Sequence, residues 1–224
     1  MPTADDFRAL ARSAPWRCTT AHFTRRGVGS PPVEAWLERP GRLTTRDERG
    51  TRRWVDNNEF GQPAPAVWIR DITPVTRPDG LVQLRPDDEE WTGPEGDHAE
   101  RDDPMYENYH WVAMLDPREL GSGVDVSDVR EVTHHGRPAW AARCVPNQEY
   151  GPRCGCCPLL WCEVSDRDEY GDPDDPAAWT PTATYPEAYD VVLDHATGFV
   201  VAITPVGETS RADLALDVEI HAAS

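Results

Sequence analysis

A chain that breaks into short runs of alternating apolar and charged residues, each closed by a turn signal, has few ways to bury itself. Residues 18–26 (CTTAHFTRR), 33–39 (VEAWLER), 42–48 (RLTTRDE) and 51–57 (TRRWVDN) are such runs, separated by Gly-Ser-Pro-Pro, Pro40-Gly41 and Arg49-Gly50. Successive strand residues point to opposite faces, so the alternation predicts an antiparallel meander with one wet face and one that needs cover. The pattern returns at 129–135 (VREVTHH), 137–145 (RPAWAARCV), 159–166 (LLWCEVSD), 189–195 (YDVVLDH), 199–206 (FVVAITPV) and 214–222 (LALDVEIHA). An Asp-x-x-Thr-Gly turn from Asp194 to Gly198 marks a hairpin between two of these runs.

Two segments are expected to supply the cover. Asp5 or Asp6 caps a short helix through Phe7, Leu10 and Ala11 that stops before Pro15. Asp103, with Pro104 at the first helical position, opens a second through Met105, Tyr109, Val112 and Leu115, broken at Asp116-Pro117 with one further turn at PREL. The resulting expectation is an α+β single domain, residues 1–224, built on a curved antiparallel sheet of at least about six strands covered by a few helices.

The charge is lopsided. Forty acidic residues face 22 basic ones, all arginine, for a formal net charge of −18. Such a surface repels phosphate backbones and argues against nucleic-acid binding. Residues 86–102 and 166–176 concentrate acidic and turn-forming residues and read as exposed loops, the first anchored only by Trp91. The second of these has Asp166, Asp168 and Gly171 at calcium-loop positions, yet Tyr170 and Ala177 stand where ligand oxygens are needed. The first residues carry no basic start followed by an apolar run, Cys18 lacks a lipobox, and no window nears eighteen apolar residues. A soluble, cytoplasmic chain with no integral membrane segment is expected.

Six cysteines include a crowded set in YGPRCGCCPLLWC, residues 150–162. In a reducing compartment such thiols point to a metal site or plain thiols before a disulfide, and all three readings stay open. Zinc asks for four thiolate or imidazole ligands, and Gly155 permits the tight turn that lets Cys154 and Cys156 or Cys157 reach one ion. Cys162 is the expected fourth ligand, with Cys144, His134 or His135 as substitutes. His134 and His135 themselves, on a strand, would point to opposite faces and could not share a metal. Trp36, Trp54, Trp111, Trp140 and Trp161 lie in or beside apolar runs, where they fill the core or line a ligand cavity. The cavity reading takes Trp36, Trp111, Val112, Leu115 and Trp140.

Residues 33–57 resemble the early strands of the bacterial lipoprotein-carrier superfamily (LolA, the mycobacterial LppX and LprG group, and RseB), where a strand ends in Arg-Pro and the next opens on a basic residue. Residues 129–146 and 189–206 resemble its later hairpins. The resemblance implies a strongly bent half-barrel over a few helices, with an apolar cavity for acyl chains. Carriers of this kind have an export signal and no Cys-x-Cys-Cys loop. This chain departs on both counts, so it resembles a cytoplasmic offshoot, and its lysine-free, arginine- and proline-rich composition resembles that of a high-GC actinobacterium. No nucleophile elbow, phosphate loop or His-Glu-x-x-His motif is present, which leaves a metal- or thiol-dependent enzyme as the weaker expectation. The leading expectation is a non-catalytic binding module holding an apolar or amphipathic small molecule or partner segment in the concavity, with the cysteine loop as a zinc-binding lid. An acidic regulatory or immunity-type factor that meets a basic protein partner is the alternative.

Overall fold

The computed structural model of the chain describes residues 1–55, 67–86, 100–101, 103–171 and 180–224. In chain order these form α1 (Ala4–Arg12), α2 (Ala14–Arg17), β1 (Thr20–Gly27), β2 (Ser30–Glu38), β3 (Arg42–Asp47), β4 (Gly50–Val55), β5 (Val67–Trp68), β6 (Val75–Thr76), β7 (Val82–Leu84) and β8 (Glu100–Arg101). There follow α3 (Tyr109–Leu115), β9 (Val124–His134), β10 (Arg137–Pro146), α4 (Glu163–Tyr170), β11 (Ala188–Asp194), β12 (Val200–Val206) and β13 (Leu216–Ala223). Among the described residues no helix is long and apolar enough to cross a membrane.

The expected α+β architecture is present: one nine-stranded sheet in the order β4-β3-β2-β1-β13-β12-β11-β10-β9, antiparallel at every step. Each half of the chain makes a meander, and the final strand β13 enters between β1 and β12 to join them. The seam is short on one side, since β12 meets β13 only at Ala202–Asp217 and Ile203–Leu216. The sheet is rolled as well as twisted. Three strands separate β9 from β13, four steps of about 4.8 Å that would hold them roughly 19 Å apart in a flat sheet. Yet the Nε2 of His134, at the end of β9, lies 3.1 Å from the Val218 carbonyl of β13.

Alternation sorts the faces. On β2, Val33, Ala35 and Leu37 are buried while Glu34, Trp36 and Glu38 face out. The inner face carries the protein's own side chains: Phe23 and Phe199 meet edge-on, Trp111 of α3 lies tilted against Phe23, and Phe7 and Leu10 of α1 are fully buried. Side chains interdigitated in this way hold the shape of the sheet by close packing.

Both covering helices start elsewhere than the sequence suggested. Thr3, not Asp5 or Asp6, caps α1: its Oγ1 accepts from the Asp6 amide while Asp6 accepts from the Thr3 amide, a reciprocal capping box. Helix α3 begins at Tyr109 with Asn108 as its cap. Asp103 is unavailable for capping because it binds the guanidinium of Arg39 (2.6–3.1 Å), which is buried and also donates to the Ala14 and Leu115 carbonyls. The expected strand at 159–166 is instead an irregular stretch leading into α4, so Asp166–Tyr170 of the supposed acidic loop is helical. Glu163 and Asp166 in the first turn favour the positive end of the helix, and Asp166 also accepts from Trp161 and Tyr185 (both 2.7 Å). Of the other acidic segment, Glu100–Arg101 pairs in parallel with β5, a correction to the loop reading there. Trp91 and the rest of 87–99, residue 102, and 172–176 lie outside the described residues. The Asp194–Gly198 turn forms as expected, Asp194 accepting from Ala196 and Thr197 and Gly198 at φ +74° passing too close to the Leu10 carbonyl for any Cβ.

Two groups give measurable consequences. Arg39→Ala strands Asp103 without its cation and is expected to cost about 3–5 kcal/mol in urea denaturation, whereas Arg39→Met with Asp103→Leu recovers most of it. His110, fully buried on α3 beside Arg25, is pushed down to about 3 by burial and then by that guanidinium. Its folded value lies below the unfolded one, so the stability from keeping it neutral is present above pH 6.5 and drains at up to ~1.4 kcal/mol per unit as pH falls towards 3. The difference in stability between wild type and His110→Gln, followed from pH 7 to 4, is expected to shrink along that slope.

Candidate metal centre

The segment after β10 is pinned before it reaches its thiols. Glu119, buried in the turn after α3, accepts from the Tyr150 hydroxyl (2.6 Å) and from the amides of Arg153 (2.9 Å) and Leu159 (3.1 Å). The Arg153 guanidinium reaches back to the buried carboxylate of Asp116. At Gly123, φ +66°, the loop runs so close that an added Cβ would sit 2.4 Å from the Glu149 carbonyl. Two loop amides are thus satisfied by Glu119, and Asp116 holds the Arg153 side chain, so two buried carboxylates anchor the segment on both sides of its thiols.

Between these anchors the sulphurs of Cys154, Cys156 and Cys157 converge within 4.8 Å of one another. The Cys154 and Cys156 Sγ atoms are 3.0 Å apart, and Cys156 donates to Cys157 at 3.8 Å. Gly155 lies against α4, where a Cβ would meet Glu169 Cβ at 2.6 Å and the Ser165 carbonyl at 2.8 Å, so this step of the loop admits only glycine. Cys156 is exposed, Cys154 half-buried and Cys157 buried.

The three thiols do not share one acidity. Burial alone would raise Cys154, but hydrogen bonds from the Cys156 and Cys157 thiols and amides overcome it and hold it below the ordinary thiol value. Cys156 is raised by its bond to Cys154, and Cys157 is pushed up to about 12, chiefly by burial. Cys154 is therefore the most acidic of the three thiols. A 2.3 Å zinc–sulphur tetrahedron needs sulphurs about 3.8 Å apart, which Cys156 and Cys157 already meet and which Cys154 and Cys156 reach by opening about 0.8 Å. The donor set fits a thiophilic ion that displaces the thiol protons, most readily that of Cys154.

Cys162 does not join it. It is the N-cap of α4, its thiol accepting from the Ser165 amide while Ser165 Oγ accepts from the Cys162 amide, and burial raises its pKa. The four-cysteine set is corrected to three, because a Cys-x-x-Ser helix start claims the fourth sulphur. Cys144 cannot substitute, being fully buried on β10 and pushed up to about 12 by burial.

The expected ligand cavity is also corrected. Trp36 lies on the outer face, stacked on His22 (4.8 Å) with Arg46 over its ring. Trp111, Val112 and Leu115 are 0–1% exposed and are packing, not lining. Of the five, Trp140 borders an open groove of about 710 Å³ at the free end of the β9–β10 hairpin, shared with Glu131, Thr133, Pro138 and His195.

Sequence reasoning missed the anchors Asp116 and Glu119, whose signal, carboxylates abutting the apolar run WVAML, drowned in a chain full of carboxylates. It also kept apart two residues that meet. His134 and His135 converge with Asp217, since His135 turns at φ +43° instead of continuing the strand; the following Gly136 was the available sign of that turn.

Alkylation with iodoacetamide is expected to label Cys154 first, with a rate midpoint below the ordinary thiol range, and Cys156 later as pH rises. Cys18 and Cys144 stay unlabelled until the protein unfolds, as peptide mapping would show.

No family model matches the chain, and no curated protein does. Solved structures that it resembles include the complex of Pseudomonas aeruginosa MucA/MucB (14% identity, 99% of this chain and 58% of that one, TM-score 0.39). They also include MucB alone (14%, 99% and 60%, TM-score 0.43) and MucB with MucA(peri) (14%, 99% and 57%, TM-score 0.36). The chain spans about three fifths of the length of these structures.

Proposed function

We propose that the chain is a non-catalytic binding protein whose thiol cluster holds one zinc ion through Cys154, Cys156 and Cys157, leaving the fourth position to water or to a partner. The convergence of the three sulphurs within 4.8 Å on a loop anchored from both sides carries this reading. Three protein ligands and one open position suit either catalysis or docking. Beside this cluster stand Glu169 and the Arg211–Asp213 pair, charged groups that a docking partner can meet. Such a site needs reduced thiols, so the proposal places the protein in the cytoplasm.

A second reading rests on the groove at Trp140. A half-buried tryptophan beside Glu131, in a chain of net charge −18, suits a basic amphipathic segment of a partner protein, or an apolar small molecule, better than an acidic one. Steering of a basic segment by charge fades as salt rises.

Cobalt(II) reads the first proposal directly. Titration of the reduced protein is expected to give sulphur-to-cobalt charge-transfer absorption saturating at one equivalent, abolished in Cys156→Ser and retained in Cys162→Ser. Zinc at a hundred times its dissociation constant is expected to add about 2.7 kcal/mol to stability. Absorption without charge transfer, or its loss in Cys162→Ser, would sink the three-thiolate assignment.

A further inference from the structure

The tip of the β9–β10 hairpin crosses to β13 where β13 has lost its neighbour. Beyond Ala202–Asp217 the two strands no longer pair, and His134 Nε2 reaches the Val218 carbonyl at 3.1 Å. The same nitrogen is 3.2 Å from Asp217 Oδ1, and His135 Nε2 is 2.9 Å from that oxygen. The two rings stand edge to face with centroids 4.4 Å apart, so both nitrogens aim at one point.

We propose that His134, His135 and Asp217 form a second metal site, for a divalent ion of borderline hardness such as zinc or cobalt(II), which pins the hairpin tip to β13. An ion with bonds of about 2.0–2.2 Å sets its ligand atoms about 3–3.5 Å apart, the spacing already present between each imidazole and the carboxylate. The carboxylate is held from behind: Arg26 Nη1 lies 3.4 Å from Oδ2, an oxygen that His135 Nε2 also approaches at 3.0 Å, and Arg26 Nη2 gives its charge to Glu219 at 2.8 Å. That support orients a ligating carboxylate, and the Glu219 pairing offsets the repulsion a cation would otherwise meet. Side-chain exposures of 19%, 34% and 39% leave room for water in the remaining positions. A neutral imidazole binds by moving its proton to Nδ1, so Nε2 becomes a ligand without any proton being lost.

Two imidazoles and a carboxylate are harder than three thiolates, so the two sites are separable by chemistry. In a variant with Cys154, Cys156 and Cys157 all changed to serine, calorimetric titration with zinc chloride is expected to show one remaining equivalent. Cobalt(II) should there give d–d absorption without sulphur charge transfer. His135→Ala and Asp217→Asn, each added to that variant, are expected to weaken binding at least tenfold, while His195→Ala leaves it unchanged. In the unaltered chain, zinc should shift the ring resonances of His134 and His135 in nitrogen-correlated spectra, a readout that does not depend on any variant folding. Zinc-silent rings, or no binding once the thiols are gone, would overturn the site. So would binding lost through His22→Ala instead, which would assign the ion to His22 and to His221 of β13, whose rings lie 4.7 Å apart.

Discussion

Asp116 ends α3 as its C-cap residue, and its carboxylate is buried between two guanidiniums. Arg85, from the end of β7, meets it with two bonds of 2.7 and 3.0 Å, and Arg153, from the thiol loop, meets it from the other side. Arg85 also donates to the Arg12 carbonyl at the end of α1. Burial would raise the Asp116 pKa, but the two arginines outweigh it and hold it well below the carboxylate range. Its stabilising contribution is therefore complete above the unfolded value and lost only as pH falls through the lowered one. One carboxylate thus fixes the angle between two helices and the loop that carries the sulphurs. Without it, two cations would be left in the interior.

The same economy explains how a chain with no lysine uses its arginines. Arg39, Arg85 and Arg153 are nearly inaccessible, and each forks between a carboxylate and backbone carbonyls. A planar guanidinium can serve several acceptors at fixed angles, whereas an ammonium would serve them as a flexible point charge. The buried polar network is consequently geometric in effect: it specifies where α1, α3 and the thiol loop sit on the sheet. Apolar packing against the rolled inner face supplies the bulk of the driving force.

What the sequence made legible was whatever depends on local alternation and turn chemistry. The strands of β1 to β4 and β9 to β13, and the Asp194–Gly198 turn, follow from period-two patterning and from residues that fit the turns. The outward direction of Trp36 was legible on the same rule, because it shares its parity with Glu34 and Glu38 and not with Val33, Ala35 and Leu37. Helix starts were not legible, because a competing partner decides them: Arg39 takes Asp103, and Ser165 recruits Cys162. These pairings span the chain or compete with a metal reading, and a single sequence shows neither side of that competition. The three-sulphur cluster itself was readable from the Cys-Gly-Cys-Cys spacing; its missing fourth ligand was not.

Both candidate sites sit at the ends of one hairpin, the thiols beyond the exit of β10 and the imidazoles at the β9–β10 turn, yet they hang from different supports. The thiol loop is held by Asp116 and Glu119, and the histidine tip by Asp217 and Arg26. Loss of one set of anchors therefore leaves the geometry of the other intact, since no bond described here is common to both. What the two sites share is the field of the whole chain. A net charge of −18 raises the local concentration of cations over the surface. Softness of the donors then decides which ion stays, thiolates retaining the softer and imidazole with carboxylate the harder. The acidic composition is thus the long-range half of recognition, and the two rigid donor sets are its short-range half.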